Sequence, residues 1–259
     1  MTEARPELTE LRIGDPPERW RALGFTVGGD ATLTVGQITI TLGARGEGIT
    51  AWTIRGIDSA ITDLDGLTTI AATASATASA TASATASATA TATTPTATRA
   101  GAQSQATHSN GATGIDQVVI ATPDFDRSAR ALSDAGIPLR RIVDNRGSRQ
   151  GFRRLGPAIL ELVEAPTAGA GPARFWGLVV IVADLPALAE LLGEHLGPVR
   201  PAVQPGRRIA ALDRIAGLST RVAFMDPEPD PSTARPYRPR PSHPTPSKQL
   251  ASRRGAPPS

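Results

Sequence analysis

"QVVIATPDFDRSARALSDAGIPL", Gln117 to Leu139, decides the fold. Its opening run of valine and isoleucine suits a buried strand. Asp124 follows, placed to accept hydrogen bonds from the free amides of a helix's first turn. A short helix comes next, and Gly136 ends it, since glycine turns left-handed cheaply. "LVVIVADLPALAELLGEHLGPV", Leu178 to Val199, repeats the plan. Here Asp184 is the expected cap, and Pro186 lies in the first turn, where its missing N–H costs nothing. Leu188, Leu191, Leu192 and Leu196 fall on one helical face, and Gly197 is the expected stop.

A third copy lies near the N-terminus in "LRIGDPPERWRALGFTV", Leu11 to Val27. It offers a strand, Asp15 as cap, two prolines, Trp20 and Leu23 facing inward and Gly24 as stop. The segments after the helices also match. "LTVGQITITLG", Leu33 to Gly43, alternates apolar and polar residues around a turn at Gly36-Gln37, which predicts a half-buried hairpin. "FRRLGPAILELVEA", Phe152 to Ala165, repeats this with its turn at Gly156-Pro157, and "LSTRVAFMD", Leu218 to Asp226, supplies one more strand. Each unit is thus β-α-β-β-β, and the fold class is α+β. "GITAWTIRGID", Gly48 to Asp58, reads as a further strand, able to open a fourth unit whose helix is missing.

In order and spacing these segments resemble the vicinal oxygen chelate superfamily, the glyoxalase-like proteins built from paired β-α-β-β-β units. "GIDQVVIATPDFDRSARAL" is similar to the opening of such a domain, "RLGPAILELVEAP" to its fourth strand and "FWGLVVIVADLPALAELLG" to the opening of its second unit. The resemblance implies repeated units forming a cupped, partly open barrel-like sheet. The expected domains are an N-terminal unit over residues 8–62, a low-complexity flexible insert over 63–110, a glyoxalase-like domain of two units over 111–226 and a disordered tail over 227–259.

The insert rests on composition. From Ala71 to Ala90 the chain is almost wholly the repeat Ala-Thr-Ala-Ser, with nothing larger than threonine to bury against the entropy of ordering. The tail is dense in proline and poor in apolar residues. It also carries the basicity: after Asp230 there are five arginines, one lysine and no acid, so a chain of net charge +3 is net negative elsewhere. Specific nucleic-acid binding is therefore not expected. The absence of cysteine excludes disulfides, thiolate metal sites and cysteine nucleophiles. No apolar run approaches a membrane span and the N-terminus lacks a signal-like stretch, so a cytoplasmic protein is expected.

The superfamily's metal centre takes up to two ligands per unit, one at the start of the first strand and one on the fourth. Gln117 matches the first position and Glu161 the second. Period-two alternation sets Glu161 on the face opposite Leu160 and Leu162, where an acid is costly unless paired, hydrogen-bonded or at a cavity. Matching the valine-isoleucine runs puts Leu178 opposite Gln117, the fourth-strand match puts Ala223 opposite Glu161, and Thr41 takes the same place in the N-terminal unit. Two ligands of four make a poor site for zinc, nickel, iron or manganese, so the possible divalent metal rests on Gln117 and Glu161 alone. The competing expectation is that these two bond each other or water at a pocket mouth. The three histidines, His108, His195 and His243, lie in the insert, in a helix and in the tail, and none is an expected ligand.

Phe152 and Trp176 stand beside cup strands, suited to an apolar ligand or to the core. Arg153, Arg207 and Arg208 are candidates to meet an acidic ligand, although only one of each adjacent arginine pair can face inward along a strand. The expected function is a glyoxalase-like protein with an impaired metal centre that binds a small organic ligand. The alternatives are a metal-dependent lyase, isomerase or dioxygenase with Glu161 as the catalytic residue, and an interaction module without ligand. A lone N-terminal unit must dock on the main domain or a partner chain, so a homodimer is also expected.

Overall fold

A computed structural model describes residues 5–72, 107–145, 147–165 and 171–229. The chain forms two open sheets with few helices and no closed barrel among the described residues. The first sheet holds six strands: β1 (Glu7–Ile13), β2 (Thr32–Val35), β3 (Ile38–Thr41), β4 (Ile49–Arg55), β5 (Asp63–Leu64) and β6 (Leu67–Ala72), ordered β2-β3-β1-β4-β6-β5. The second holds eight: β7 (Ala112–Thr122), β8 (Arg141–Asn145), β9 (Ser148–Leu155), β10 (Ala158–Glu164), β11 (Arg174–Val182), β12 (Arg200–Pro201), β13 (Arg208–Ala211) and β14 (Arg221–Met225). Their order is β12-β13-β14-β11-β7-β10-β9-β8.

One connection recurs four times. β1 runs parallel to β3, β4 to β6, β7 to β10 and β11 to β14. The first strands of paired units then lie side by side and antiparallel, β1 with β4 and β7 with β11. The large sheet is therefore a pair of β-α-β-β-β units, whereas each N-terminal unit has three strands rather than the four expected. The N-terminal pair has helix α1 (Pro17–Ala22) in its first unit and no helix between β4 and β5 in its second; α2 (Phe125–Asp134) and α3 (Leu185–Leu192) serve the large sheet.

Several expectations are corrected here. The strand pair β5–β6 lies inside the span read as insert, so the first sheet runs to Ala72 rather than ending at residue 62. Its turn residue Asp65 bonds the Arg127 and Ser128 side chains on α2, which is why a short Thr/Ala-rich segment is held in place. At the other end of the insert His108 is buried: its Nδ1 accepts from the Thr26 amide at 3.0 Å and its Nε2 faces the Thr34 carbonyl at 2.9 Å. The Ala-Thr-Ala-Ser repeat from residue 73 onward and the tail beyond 229 lie outside the described residues.

Asp124 and Asp184 cap α2 and α3 as expected, each accepting from an amide three residues on at 3.0 Å. Asp15 does not cap α1, whose N-cap is Pro16 with no side-chain bond. Asp15 accepts instead from the amide and hydroxyl of Ser219 and the amide of Thr220. α3 stops at Gly193, not Gly197, and Leu191 points to solvent while Leu188 and Leu192 are buried.

The core is shared. Phe125, Leu132, Leu185, Leu188 and Leu192 of the helices pack with Val118, Ile120, Leu160, Leu178, Val180, Val222 and Phe224 on one face of the large sheet. Trp20, Phe25 and Trp52 of the N-terminal region join the same cluster. Phe25 stacks on Phe224 at 6.3 Å, and Trp52 meets Phe175 edge-on at 5.3 Å. The N-terminal units thus dock on the main domain of their own chain, which removes the reason for expecting a partner to cover them. No helix among the described residues is long and apolar enough to cross a membrane.

Candidate functional site

The face of the large sheet turned away from the helices forms the cup. Residues directly opposite across neighbouring strands share a face, so the registers name its occupants. One row runs Arg141, Phe152, Glu161, Val119, Gly177 and Arg221. The next runs Arg154, Ile159, Gln117, Val179, Ala223 and Ala211. Gln117 and Glu161 are thus on one face, as expected, diagonal to each other on adjacent strands. Neither side chain makes a hydrogen bond among the described residues, to the other or to anything else.

Each first strand carries an extra residue, and β7 leaves a second, Thr113, unpaired near its start. Thr9 in β1, Thr50 in β4, Asp116 in β7 and Trp176 in β11 are unpaired at register shifts. A bulge of this kind sets two residues against one on the partner and re-aims side chains. The residues that follow these four bulges, Glu10, Ala51, Gln117 and Gly177, share the place of the expected first-strand ligand. This changes one correspondence. Gln117 is matched by Gly177, while Leu178 pairs with Val118 on the helix-covered face. The cap aspartates agree, since Asp116 precedes Asp124 by the same number of residues as Trp176 precedes Asp184.

A side chain at Gly177 has nowhere to go. A Cβ there would lie 2.4 Å from the Arg221 carbonyl oxygen and 2.8 Å from its Cβ. In the N-terminal unit Glu10 takes the place of Gln117, a residue the sequence reading missed. Its carboxylate accepts from Thr41 Oγ1 at 2.8 Å, Thr53 Oγ1 at 3.1 Å and Arg12 Nε at 3.4 Å. Those contacts occupy it with its own neighbours. Among the described residues no group of three or more His, Cys, Asp or Glu side chains is placed to hold a metal ion.

Burial raises the Glu161 carboxyl above its ordinary range, and the negative charge of Asp116 adds to the effect. Asp116 is itself paired with Arg207 at 2.9 Å, in an ion pair with both side chains about nine-tenths buried. Arg207 also donates from Nε to the Asp226 carbonyl at 2.8 Å, while its Nη2 and the Asp116 Oδ2 have no partner among the described residues. A lost partner here would strand a buried charge.

A cavity of about 360 Å3 opens over Val119 and Val179, the register neighbours of Glu161 and Gln117, but Gln117, Glu161, Asp116 and Arg207 do not line it. Val119, Val179, Ala211 and Ala223 give it an apolar floor, and Trp176, Arg214 and Arg221 stand among its other walls. Leu218, Ser219 and Thr220 also line it, on the loop that Asp15 holds. Arg221 lies over the Trp176 ring, 5.1 Å from its centre.

No family model matches the sequence, and no curated protein does. Among solved structures, a methylmalonyl-CoA epimerase from Mycobacterium tuberculosis matches 49% of this chain and 95% of its own, at 21% identity and a TM-score of 0.40. A methylmalonyl-CoA epimerase of Streptomyces coelicolor matches 44% of this chain and 94% of its own, at 19% identity and a TM-score of 0.37. A hypothetical protein from Bacillus halodurans matches 45% and 95%, at 15% identity and a TM-score of 0.37. The chemistry rests on this chain's own residues.

Of the residues picked from sequence, Gln117, Glu161 and Phe152 share the cup face, and Trp176 stands at the cavity wall, 48% exposed. Arg207 and Arg208 divide as alternation requires: Arg207 is buried, whereas Arg208 points outward in a two-pronged pair with Asp226. Arg208 is therefore not a cup residue. Nor is Arg153, which pairs in register with Leu160 on the opposite face. Its guanidinium is made less basic by desolvation, with Arg140 and Arg5 adding repulsion. Arg214 and Arg221, the arginines that do reach the cavity, were not singled out from sequence, although Arg221 lies in the quoted strand segment Leu218 to Asp226.

Proposed function

We propose that this chain binds a small organic ligand in the cup of its large sheet and does so without a metal ion. The observation that carries the reading is the pair Gly177 and Ala223. Both stand where a second unit would supply its ligands: Gly177 admits no side chain at all, and Ala223 puts an apolar lining on the cavity instead. A cavity of about 360 Å3 lies within the usual range for small-molecule sites, roughly 300–1,000 Å3. Gln117 and Glu161, one strand position from the lining residues Val179 and Val119, would supply polar groups to a ligand that extends along the cup. Glu161 carrying its proton would donate a hydrogen bond to a ligand oxygen.

Calorimetric titration with zinc, nickel, iron(II) and manganese, beside a thermal-shift screen of small organic molecules, tests this. The expected result is a ligand-dependent rise in melting temperature with no stoichiometric metal bound. Tight one-to-one binding of any of these metals, abolished by Glu161→Ala, would sink the proposal and promote the metal-dependent enzyme.

One observation favours a second reading, metal-free proton transfer at Glu161. Desolvation raises its carboxyl, with the charge of Asp116 adding to the effect, and a raised carboxyl suits a group that takes and returns a proton. Turnover of a bound ligand that survives chelators and is lost in Glu161→Gln would establish it.

A further inference from the structure

We infer that the ligand of this cavity is a planar organic anion, an aromatic or conjugated carboxylate, with its ring against Trp176 and its acid group on Arg221 and Arg214. The inference rests on the small-ligand reading above and names the chemical class.

Three observations carry it. The floor is apolar and shallow in side-chain length, built from Val119, Val179, Ala211 and Ala223, and suits a flat hydrocarbon body. Trp176 is the large aromatic of the lining. It sits on a bulge that turns it out of the pleat, and nearly half of it is open to solvent. Exposed indole bordering a cavity is a stacking surface, and Arg221 already holds the ring from one side. The guanidiniums supply the third. Among the described residues neither Arg214 nor Arg221 has a carboxylate within salt-bridge distance, unlike Arg127, Arg149, Arg207 and Arg208. A guanidinium fork matches a carboxylate two bonds at a time.

The cavity's own acids set the sign of the argument. Asp213 commits a carboxylate oxygen to the Ile215 amide at 3.0 Å. Glu47 is the other lining acid, and it opposes an anion. Neutralising it should therefore tighten binding, the reverse of what a cationic ligand would show. A cation would also face two guanidiniums across the mouth.

The test uses the full chain and three matched probes in calorimetry: 2-naphthoate, its neutral carboxamide and 2-naphthylmethylammonium. The expected order is the acid tightest by about tenfold or more, the amide weaker and the ammonium weakest. Arg221→Gln should cost the acid about tenfold and leave the amide unchanged, while Trp176→Ala weakens both. Glu47→Gln should strengthen the acid. Unchanged melting curves would show that each variant folds. An amide that binds as well as the acid overturns the anion and leaves the small-ligand reading standing. If no probe binds, a melting shift from a non-aromatic compound, abolished by Ala223→Phe, keeps that reading and overturns this class; no shift from any compound overturns both.

Discussion

Gly177 is a residue whose importance lies in what it forbids. Its neighbour Arg221 presents backbone at 2.4 Å from where a Cβ would stand, so a histidine or carboxylate there needs the strand pair to part. Gly177→Ala is expected to destabilise the fold by about 1–3 kcal/mol through overpacking, read from urea denaturation. Glu161 makes the complementary prediction. Burial raises its carboxyl, so the folded state binds its proton more tightly than the unfolded chain does. Stability from this group is full below the unfolded pKa and is lost as pH rises through the folded one. Glu161→Gln should therefore match wild type in acid and gain over it as pH rises to neutrality, in denaturation curves taken across the range. A difference that shrinks with rising pH would refute the desolvated carboxyl. The family resemblance picked out Gln117 and Glu161, and alternation could add only that Glu161 faces away from Leu160 and Leu162, because period two is a property of the chain. The partner of Gln117 was not legible. Matching the runs of valine and isoleucine slides the second unit by one residue, and a one-residue slip moves a side chain to the other face. The bulges at Asp116 and Trp176 that fix the register leave no mark in composition. The cap aspartates did record it.

At the scale of elements, hairpins and helices announced themselves through Gly-Gln and Gly-Pro turns and through Asp124 and Asp184. β6 did not, because "LTTIAA" carries few large apolar residues and runs into the Ala-Thr-Ala-Ser tract. What holds it is tertiary: Leu64 and Leu67 are buried, and Asp65 reaches across to α2. The same is true of His108, which sits between two hydrogen-bonded loop and strand positions and meets Phe25 edge-on at 5.4 Å. A histidine beside a low-complexity tract reads as solvated, and only the folded N-terminal unit shows it to be a staple. His108→Ala leaves the Thr26 amide and the Thr34 carbonyl without their partner. The expected loss is roughly 1–3 kcal/mol, seen as a lower urea midpoint at unchanged slope. An unaffected midpoint would mean that residues 107–111 do not anchor the unit.

For the whole molecule the question is whether the two-unit domain over 111–226, complete by pattern, is complete in energy. Its helix-covered face says that it is not. Phe224 and Phe175 are covered in part by Phe25 and Trp52, which belong to the N-terminal sheet, and Trp20 and Trp52 are fully buried in return. Asp15 adds a polar tie, accepting three hydrogen bonds from Ser219 and Thr220 on the loop that walls the cavity. Each large apolar side chain returned to water costs about 1.5–3 kcal/mol, and a whole domain has only about 5–15 kcal/mol to lose. A fragment of residues 107–229 exposes several such side chains at once and frees the cavity wall. It should therefore fail to unfold cooperatively and should bind a hydrophobic dye, whereas the full chain shows a single transition by both tryptophan fluorescence and circular dichroism. Asp15→Ala in the full chain should keep the single transition, lower its midpoint and weaken whatever the cavity binds. A fragment that melts cooperatively near the temperature of the full chain would instead make the N-terminal sheet an appendage. The shared core and the Asp15 tie would then contribute nothing to the cup.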